Sequence, residues 1–477
     1  MFPKIRRQAA WLLPGLSIKR WVGIGVIGLI AMGIGAALIL DLQPVTFVIR
    51  SLANIALVIP NSISGPLALI VGGLMLYLGF SKTYQTVLDA LHYEGDADIL
   101  EALYRQSKLV RGPRIVAIGG GTGLSTLLRG LKHHTGNITA VVTVGDDGGS
   151  SGRLRKEQGV IPPGDIRNCI AALADDEGLT TQLFQYRFKT GQGLEGHSFG
   201  NLFLTAMCQV TGDMVSAIKE SSRVLNIQGR VLPSTLDNIR LVAEMEDGSI
   251  VEGESSIPEA HGKIKRVKCE PACPLPLPEV IAAIKHAQLI VMGPGSLYTS
   301  VLPNLLIDEI ACAVAENPAP KAYVTNIMTQ PGETDGFTVG DHVQAILDHA
   351  PRPGMVSAVF VNSSLPPSLV EKYTEHGYRP VELDTERCEQ LGVQVVKKYL
   401  VNEENTQVIR HDSDLLAQAI IDWFKQESHK KDKPPAGSQQ PVMMMDALES
   451  VKDDTVQDDS ANEEGEPAPD LAEVKRQ

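Results

Sequence analysis

The sequence predicts an α/β fold: a parallel sheet with helices on both faces and a small β-rich insertion, preceded by two transmembrane helices. Three observations carry that expectation. From residue 114 onward, short β-branched apolar runs alternate with amphipathic stretches, as strand–helix–strand units require. Two of those runs, residues 114–118 and 138–144, empty into glycine-rich turns, GGGTG and GDDGGSSG, which gives the sheet a Rossmann-like construction. Ahead of them stand two long apolar runs, residues 21–40 and 63–80.

Residues 21–40 contain no charged side chain, and about 20 apolar residues suffice for a helix to cross roughly 30 Å of hydrocarbon. Residues 63–80 lie near the lower limit, and Gly72-Gly73 allows close helix packing. Lys4, Arg6, Arg7, Lys19 and Arg20 precede the first run, whereas only Asp41 and Arg50 separate the two. The positive-inside tendency then puts both chain ends on the cytoplasmic side of the cytoplasmic membrane. A cleaved signal peptide or a buried helical hairpin would share this hydropathy, but the first run is longer than a signal core and lacks a small-residue cleavage site. Residues 45–60, apolar around Arg50, suit an amphipathic helix at the interface.

The expected organisation is a membrane anchor over residues 1–83, a juxtamembrane helical linker over 84–111, a ligand-binding domain over 112–427 and a disordered acidic tail over 428–477. The linker places Leu88, Leu91, Ile99, Leu100 and Leu103 at helical spacing. The tail is rich in Asp, Glu, Pro, Ser and Lys and lacks aromatics, so burial cannot offset its ordering entropy; a short helix is expected only near residues 443–451. A chain of 477 residues exceeds one compact core. Its formal net charge of −13 argues against a nucleic-acid partner, which needs a basic face. Six cysteines are scattered, and Cys269 and Cys273 have no matching Cys/His pair, so no zinc site is expected and a reducing compartment fits.

Gly119, Gly120, Gly121, Thr122 and Gly123 follow the first strand and open a helix on which Leu124, Leu127, Leu128 and Leu131 recur at helical spacing. Glycine permits φ > 0 and close ligand approach, and free amides at a helix N-terminus favour an anion, so the expected ligand is a phosphate ester. Tight turns need glycine regardless of function, which is the structural alternative. In the second turn, Asp146 or Asp147 is placed to hold a ribose. Leu124 stands where a dehydrogenase fingerprint wants Gly or Ala, and Gly149, Ser150 and Ser151 follow the acids. This suits a nucleotide or sugar-nucleotide pocket better than a dehydrogenase.

GGGTGLSTLLRGLK, VTVGDDGGSSGRLR, PPGDIRN, GHSFGNL, MGPGSLYTS and NIMTQPGETDG occur in that order over about residues 112–424. Together they resemble the YvcK family, the gluconeogenesis-factor branch of the CofD superfamily. The resemblance implies a CofD-like domain that binds UDP-N-acetylglucosamine and links carbon metabolism to cell-wall synthesis and cell shape. It implies no turnover, no required cofactor and a homodimer. A further reading is an interaction platform, in which the acidic tail and the membrane hairpin recruit cell-envelope synthesis proteins. The superfamily's namesake implies the alternative, a transferase moving a phospholactate group from a nucleotide to a deazaflavin alcohol.

The remaining motifs supply candidate ligand-binding residues. Asp165, Arg167 and Asn168 place a carboxylate, a guanidinium suited to phosphate and an amide in one helical turn; alternatively Asp165 caps a helix over 166–174 and Arg167 pairs with it. Asn201 opens a helix over 202–210 as a ligand or capping amide, and His197, for want of a partner, reads as structural. No Ser/His/Asp or Cys/His order marks a catalytic residue. Gly293, Gly295, Ser296 and Tyr298 follow the strand at 289–292; their amides suit a second anionic group, and Tyr298 suits stacking on a base. Ligands of open sheets bind beyond the carboxyl ends of strands, so this turn and the first are expected to share one crevice. Asn326, Gln330 and Thr334, after a strand at 322–325, suit a uracil edge or an N-acetyl group, or else satisfy their own loop. Asp146, Asp147 and Glu333 could hold Mg²⁺ beside a diphosphate, though their spacing demands no metal. A further strand is expected at 356–361, and the insertion over 229–268 with a hairpin about Asp247-Gly248.

Overall fold

The computed structural model describes residues 108–175, 178–401 and 409–432, the helix Gln43–Val58, and scattered positions between 27 and 74. The chain separates into two units, Met1–Glu427 and Ser428–Gln477. Most of the apolar runs at 21–40 and 63–80, of the linker and of the acidic tail lies outside the described residues. Among the described residues no single helix is long and apolar enough to cross a membrane. Residues expected to form the interfacial segment do form a helix, Gln43–Val58.

Among the described residues ten strands build two sheets. β1 (Ile115–Gly119), β2 (Ile138–Val142) and β3 (Arg230–Pro233) come first, followed by β4 (Arg240–Met245), β5 (Ile250–Glu252) and β6 (Ile264–Glu270). β7 (Leu289–Met292), β8 (Lys321–Val324), β9 (Ala358–Asn362) and β10 (Gln394–Lys398) complete the set. The main sheet runs β10-β9-β8-β7-β1-β2-β3 and is parallel throughout; β5-β4-β6 is antiparallel. β1 and β2 are buried at every position, which is why they read as unbroken apolar runs rather than alternating ones. Crossovers leading in opposite directions from β1 put helices on both faces, as the right-handed preference of such connections requires. Helix Gly121–Leu131 packs on Gly164–Leu173, and Pro278–Lys285 packs on Asp308–Glu316. Leu124, Leu127, Leu128 and Leu131 are fully buried and join one continuous core with the strands.

The insertion begins later than expected. Arg230–Pro233 belongs to the main sheet as its margin, where Pro233 costs no ladder bond, so only Arg240–Glu270 forms the separate sheet. The hairpin about Asp247-Gly248 is present, with Ala243 opposite Val251. β6 and β10 were not legible as strands. In β6 only Ile264, Val267 and Cys269 turn inward among charged neighbours, and β10 lies at the other margin with Lys397 and Lys398 exposed.

Candidate functional site

The strand order reverses between β1 and β7: the chain leaves β1 towards β2 and β3, then returns to the other side for β7 to β10. Such a switch point opens a crevice beyond the carboxyl ends of the two strands. Gly120 is extended and precedes helix Gly121–Leu131, and Gly121 takes φ +61°, a left-handed conformation that disfavours any side chain. From β7 comes the turn carrying Pro294 and Gly295. A Cβ on Gly123 would collide with the Pro294 carbonyl oxygen and lie 2.9 Å from Gly295 Cα, so the two turns touch backbone to backbone.

Where they meet, a cleft of about 360 Å³ opens. Gly120, Gly121, Thr122 and Gly123 line it with Gly295, Ser296, Asn326 and Gln330, all singled out in the sequence. Ile327 and Met328 of the NIMTQPGETDG motif line it too, and so do Tyr373, Tyr378, Ile409, Arg410 and His411, none of which was marked by a motif. The two tyrosine rings meet edge to face at 5.7 Å. Burial pushes His411 down to about 4, which leaves it a neutral imidazole. Residue type was the only signal these groups offered, since they come from segments distant from the glycine turns.

A chain of amides and hydroxyls ties the β7 turn to the loop after β8. Asn326 Nδ2 donates to Gln330 Oε1 at 2.8 Å, Gln330 Nε2 to Ser296 Oγ at 2.7 Å, and Ser296 Oγ to Glu333 Oε1 at 3.3 Å. Thr334 shapes this loop, its hydroxyl accepting from Gln330 N at 2.9 Å. Burial pushes the Glu333 carboxyl up to about 7 against bonds from Ser296, the Tyr298 amide and Thr299. Gly293 contributes backbone alone, at φ +76°. Tyr298 does not line the cleft. The π-helical turn Leu297–Val301 carries its ring into the core, edge-on to Phe337 at 6.2 Å and His349 at 5.8 Å, so the expected stacking on a base is withdrawn.

The second glycine turn forms an adjoining polar layer rather than the cleft wall. Asp146 Oδ1 accepts from Gly148 N, and Asp147 Oδ1 accepts from Ser255 N, both at 3.0 Å, so Asp147 ties the turn to the insertion. Ser150 Oγ lies 2.9 Å from His197 Nδ1 and accepts from Asn201 Nδ2 at 3.0 Å. His197 therefore has the partner that sequence reading denied it, and Asn201 is turned to Ser150. Ser151 packs against Gly164, and Gly149 holds φ +46°.

Asp165 is not a cap. Helix Gly164–Leu173 starts two residues earlier than expected, with Pro163 at its N-cap, and the Asp165 carboxylate instead accepts from the Gly121 amide beneath the phosphate-type turn. Arg167 does not pair with it, donating instead to Ser198 Oγ at 2.5 Å and Asn168 Oδ1 at 2.7 Å. Burial, with Asp146 nearby, pushes Asp165 up to about 7. Glu254, which no motif marked, is pushed to about 8 by burial and by Asp146, Asp165, Asp147 and Glu333. Among the described residues no group of three His, Cys, Asp or Glu side chains is arranged to hold a metal ion.

The CofD family, described as 2-phospho-L-lactate transferase CofD, matches residues 115–401. The gluconeogenesis factor of Bacillus subtilis is 51% identical over 315 residues, covering 66% of this chain and 99% of its own. A Nostoc sp. protein that shares the gluconeogenesis-factor name is 49% identical over 434 residues, covering 90% of this chain and 95% of its own. A crystal structure of a UPF0052-family protein from Bacillus halodurans superposes with a TM-score of 0.62 at 50% identity, covering 65% of this chain and all of that one. The chain thus belongs to the CofD family and, within it, to the gluconeogenesis factors.

Proposed function

We propose that the cleft binds UDP-N-acetylglucosamine as a regulatory ligand without turning it over, and so links carbon metabolism to cell-wall synthesis and cell shape. The observation that carries this reading is the contact between the two glycine turns at the strand-order switch. The amides opening helix Gly121–Leu131 and the helix dipole favour a diphosphate, and Arg410 adds a guanidinium. Tyr373, Tyr378, Ile327, Met328 and Ile409 offer an apolar wall to a uracil, while Asn326 and Gln330 offer amides to polar sugar substituents. Mg²⁺ beside the diphosphate is optional in this reading, with Asp146, Asp147 and Glu333 as its candidate carboxylates. Membrane attachment through residues 21–40 and 63–80, a homodimer and envelope-synthesis partners complete it, the first resting on composition, the second on family likeness and the third on the acidic tail and membrane hairpin as a recruiting platform. Calorimetry of the full-length protein in detergent tests the binding. A saturable heat with UDP-N-acetylglucosamine is expected, and none at millimolar ligand refutes it.

The second reading, a phospholactate-type transferase, is favoured by Asp165, which retains a proton near neutrality directly under Gly121. A carboxyl with that pKa can exchange a proton with a reacting group. Its test is product formation from a nucleotide-activated phospholactate and a deazaflavin alcohol; no product under saturating conditions refutes it.

A further inference from the structure

At the amino-terminal edge of the seven-stranded sheet, opposite the cleft, a second cavity of about 490 Å³ opens between the starts of β1, β2 and β3 and the end of helix Pro278–Lys285. Strand register explains its polarity. Ile115 is opposite Ile138, and Thr139 is opposite Arg230. Paired residues of parallel strands share a face and alternate residues return to it, so Arg114, Asn137, Thr139 and Arg230 all fall on one face of three adjoining strands.

Both arginines are anchored at Nε. Arg230 Nε donates to Thr139 Oγ1 at 2.8 Å, which leans its guanidinium over β2 towards β1. Arg114 Nε donates to the His286 carbonyl at 2.8 Å. The terminal nitrogens of both remain available, and neither arginine forms a salt bridge among the described residues. Among the described residues the lining contains no carboxylate, although the chain carries a net charge of −13. Ala282 and Ala283 keep the helix side of the cavity free of bulk.

Two guanidinium groups with fixed stems and open ends, facing one cavity without a counter-ion, match the geometry and charge of a phosphate. We propose that this cavity is a second ligand site, which takes a small phosphorylated metabolite with its phosphate between Arg114 and Arg230. At about 3.3 Å per residue, the five residues of β1 separate it from the cleft by roughly 16 Å, so the two sites are distinct.

The experiment is a calorimetric titration of the full-length protein with inorganic phosphate, comparing wild type with R114Q/R230Q, R114K/R230K and the single variant R230Q. Wild type is expected to show a saturable component that weakens at least tenfold in R114Q/R230Q and in R230Q. R114K/R230K, which keeps the charge, should retain it in part, and unchanged thermal midpoints would confirm intact folds. An R230Q isotherm that superposes on wild type, or a wild type with no saturable component, overturns the proposal.

Discussion

Gly123→Ala is the sharpest probe of the cleft, because Gly123 has no positive φ and the only obstacle to a methyl group is the opposing turn. The added Cβ would lie 2.7 Å from the Pro294 carbonyl carbon and 2.9 Å from Gly295 Cα. Carbon atoms gain dispersion energy only from about 3.5 Å outward, and neither neighbour is a side-chain tip that can swing aside. The turns must part, at an overpacking cost of about 1–3 kcal/mol. Parting also moves the amides of the two turns relative to each other, and each charge-assisted bond lost to a phosphate costs about 1.5–3 kcal/mol, a tenfold loss of affinity or more. Gly119→Ala, one turn away, is the control: its Cβ would meet Leu124 Cβ at 3.5 Å, an ordinary contact. Calorimetry with UDP-N-acetylglucosamine and urea unfolding should separate the two variants, with Gly119→Ala close to wild type in both. If Gly123→Ala binds as tightly as wild type, the turns do not form one cradle.

Arg410→Ala should weaken UDP-N-acetylglucosamine binding by about 1.5–3 kcal/mol without shifting the thermal midpoint, since the residue is exposed; unchanged affinity would remove it from the site. Tyr298→Ala should destabilise the fold by about 3–5 kcal/mol, because the ring fills core space against Phe337 and His349; an unaltered urea midpoint would contradict that packing. Asp165 titrates near 3.8 when unfolded and about 7 when folded, so between those values the native state binds the extra proton and stability falls as pH rises. Glu254, raised from 4.5 to about 8, extends that loss to pH 8. Asp165→Asn should therefore flatten the fall in stability between pH 5 and pH 8, by an amount on the order of 3 kcal/mol; a wild type more stable at pH 8 than at pH 5 would reverse the sign.

The parallel sheet was legible because its central strands are buried on both faces and their apolar runs are unbroken, and the glycine turns marked where those strands end. The margins were not: Pro233 disguised β3, and the charged neighbours of Val267 and Cys269 disguised β6. Within the site, motifs located backbone features well and side-chain directions poorly. Tyr298 follows a glycine turn as a ligand group would, yet the π-helical turn shifts its phase into the core. Ser150 and His197 are neighbours only through folding, and so are Arg410 and the glycine turns. The proton held by Glu254 has no sequence signature, since it arises from desolvation and from carboxylates on other segments.

The two margins of the main sheet have a bearing on self-association. Pro233 withholds a donor at one border, while Lys397 and Lys398 set paired positive charges along the other. A neighbouring molecule cannot readily extend the array by adding its own strand at either place. At these two margins, contacts between copies fall to helix and loop side chains, which are readily separable by mutation, and not to a shared backbone lattice of the kind that seeds fibrils.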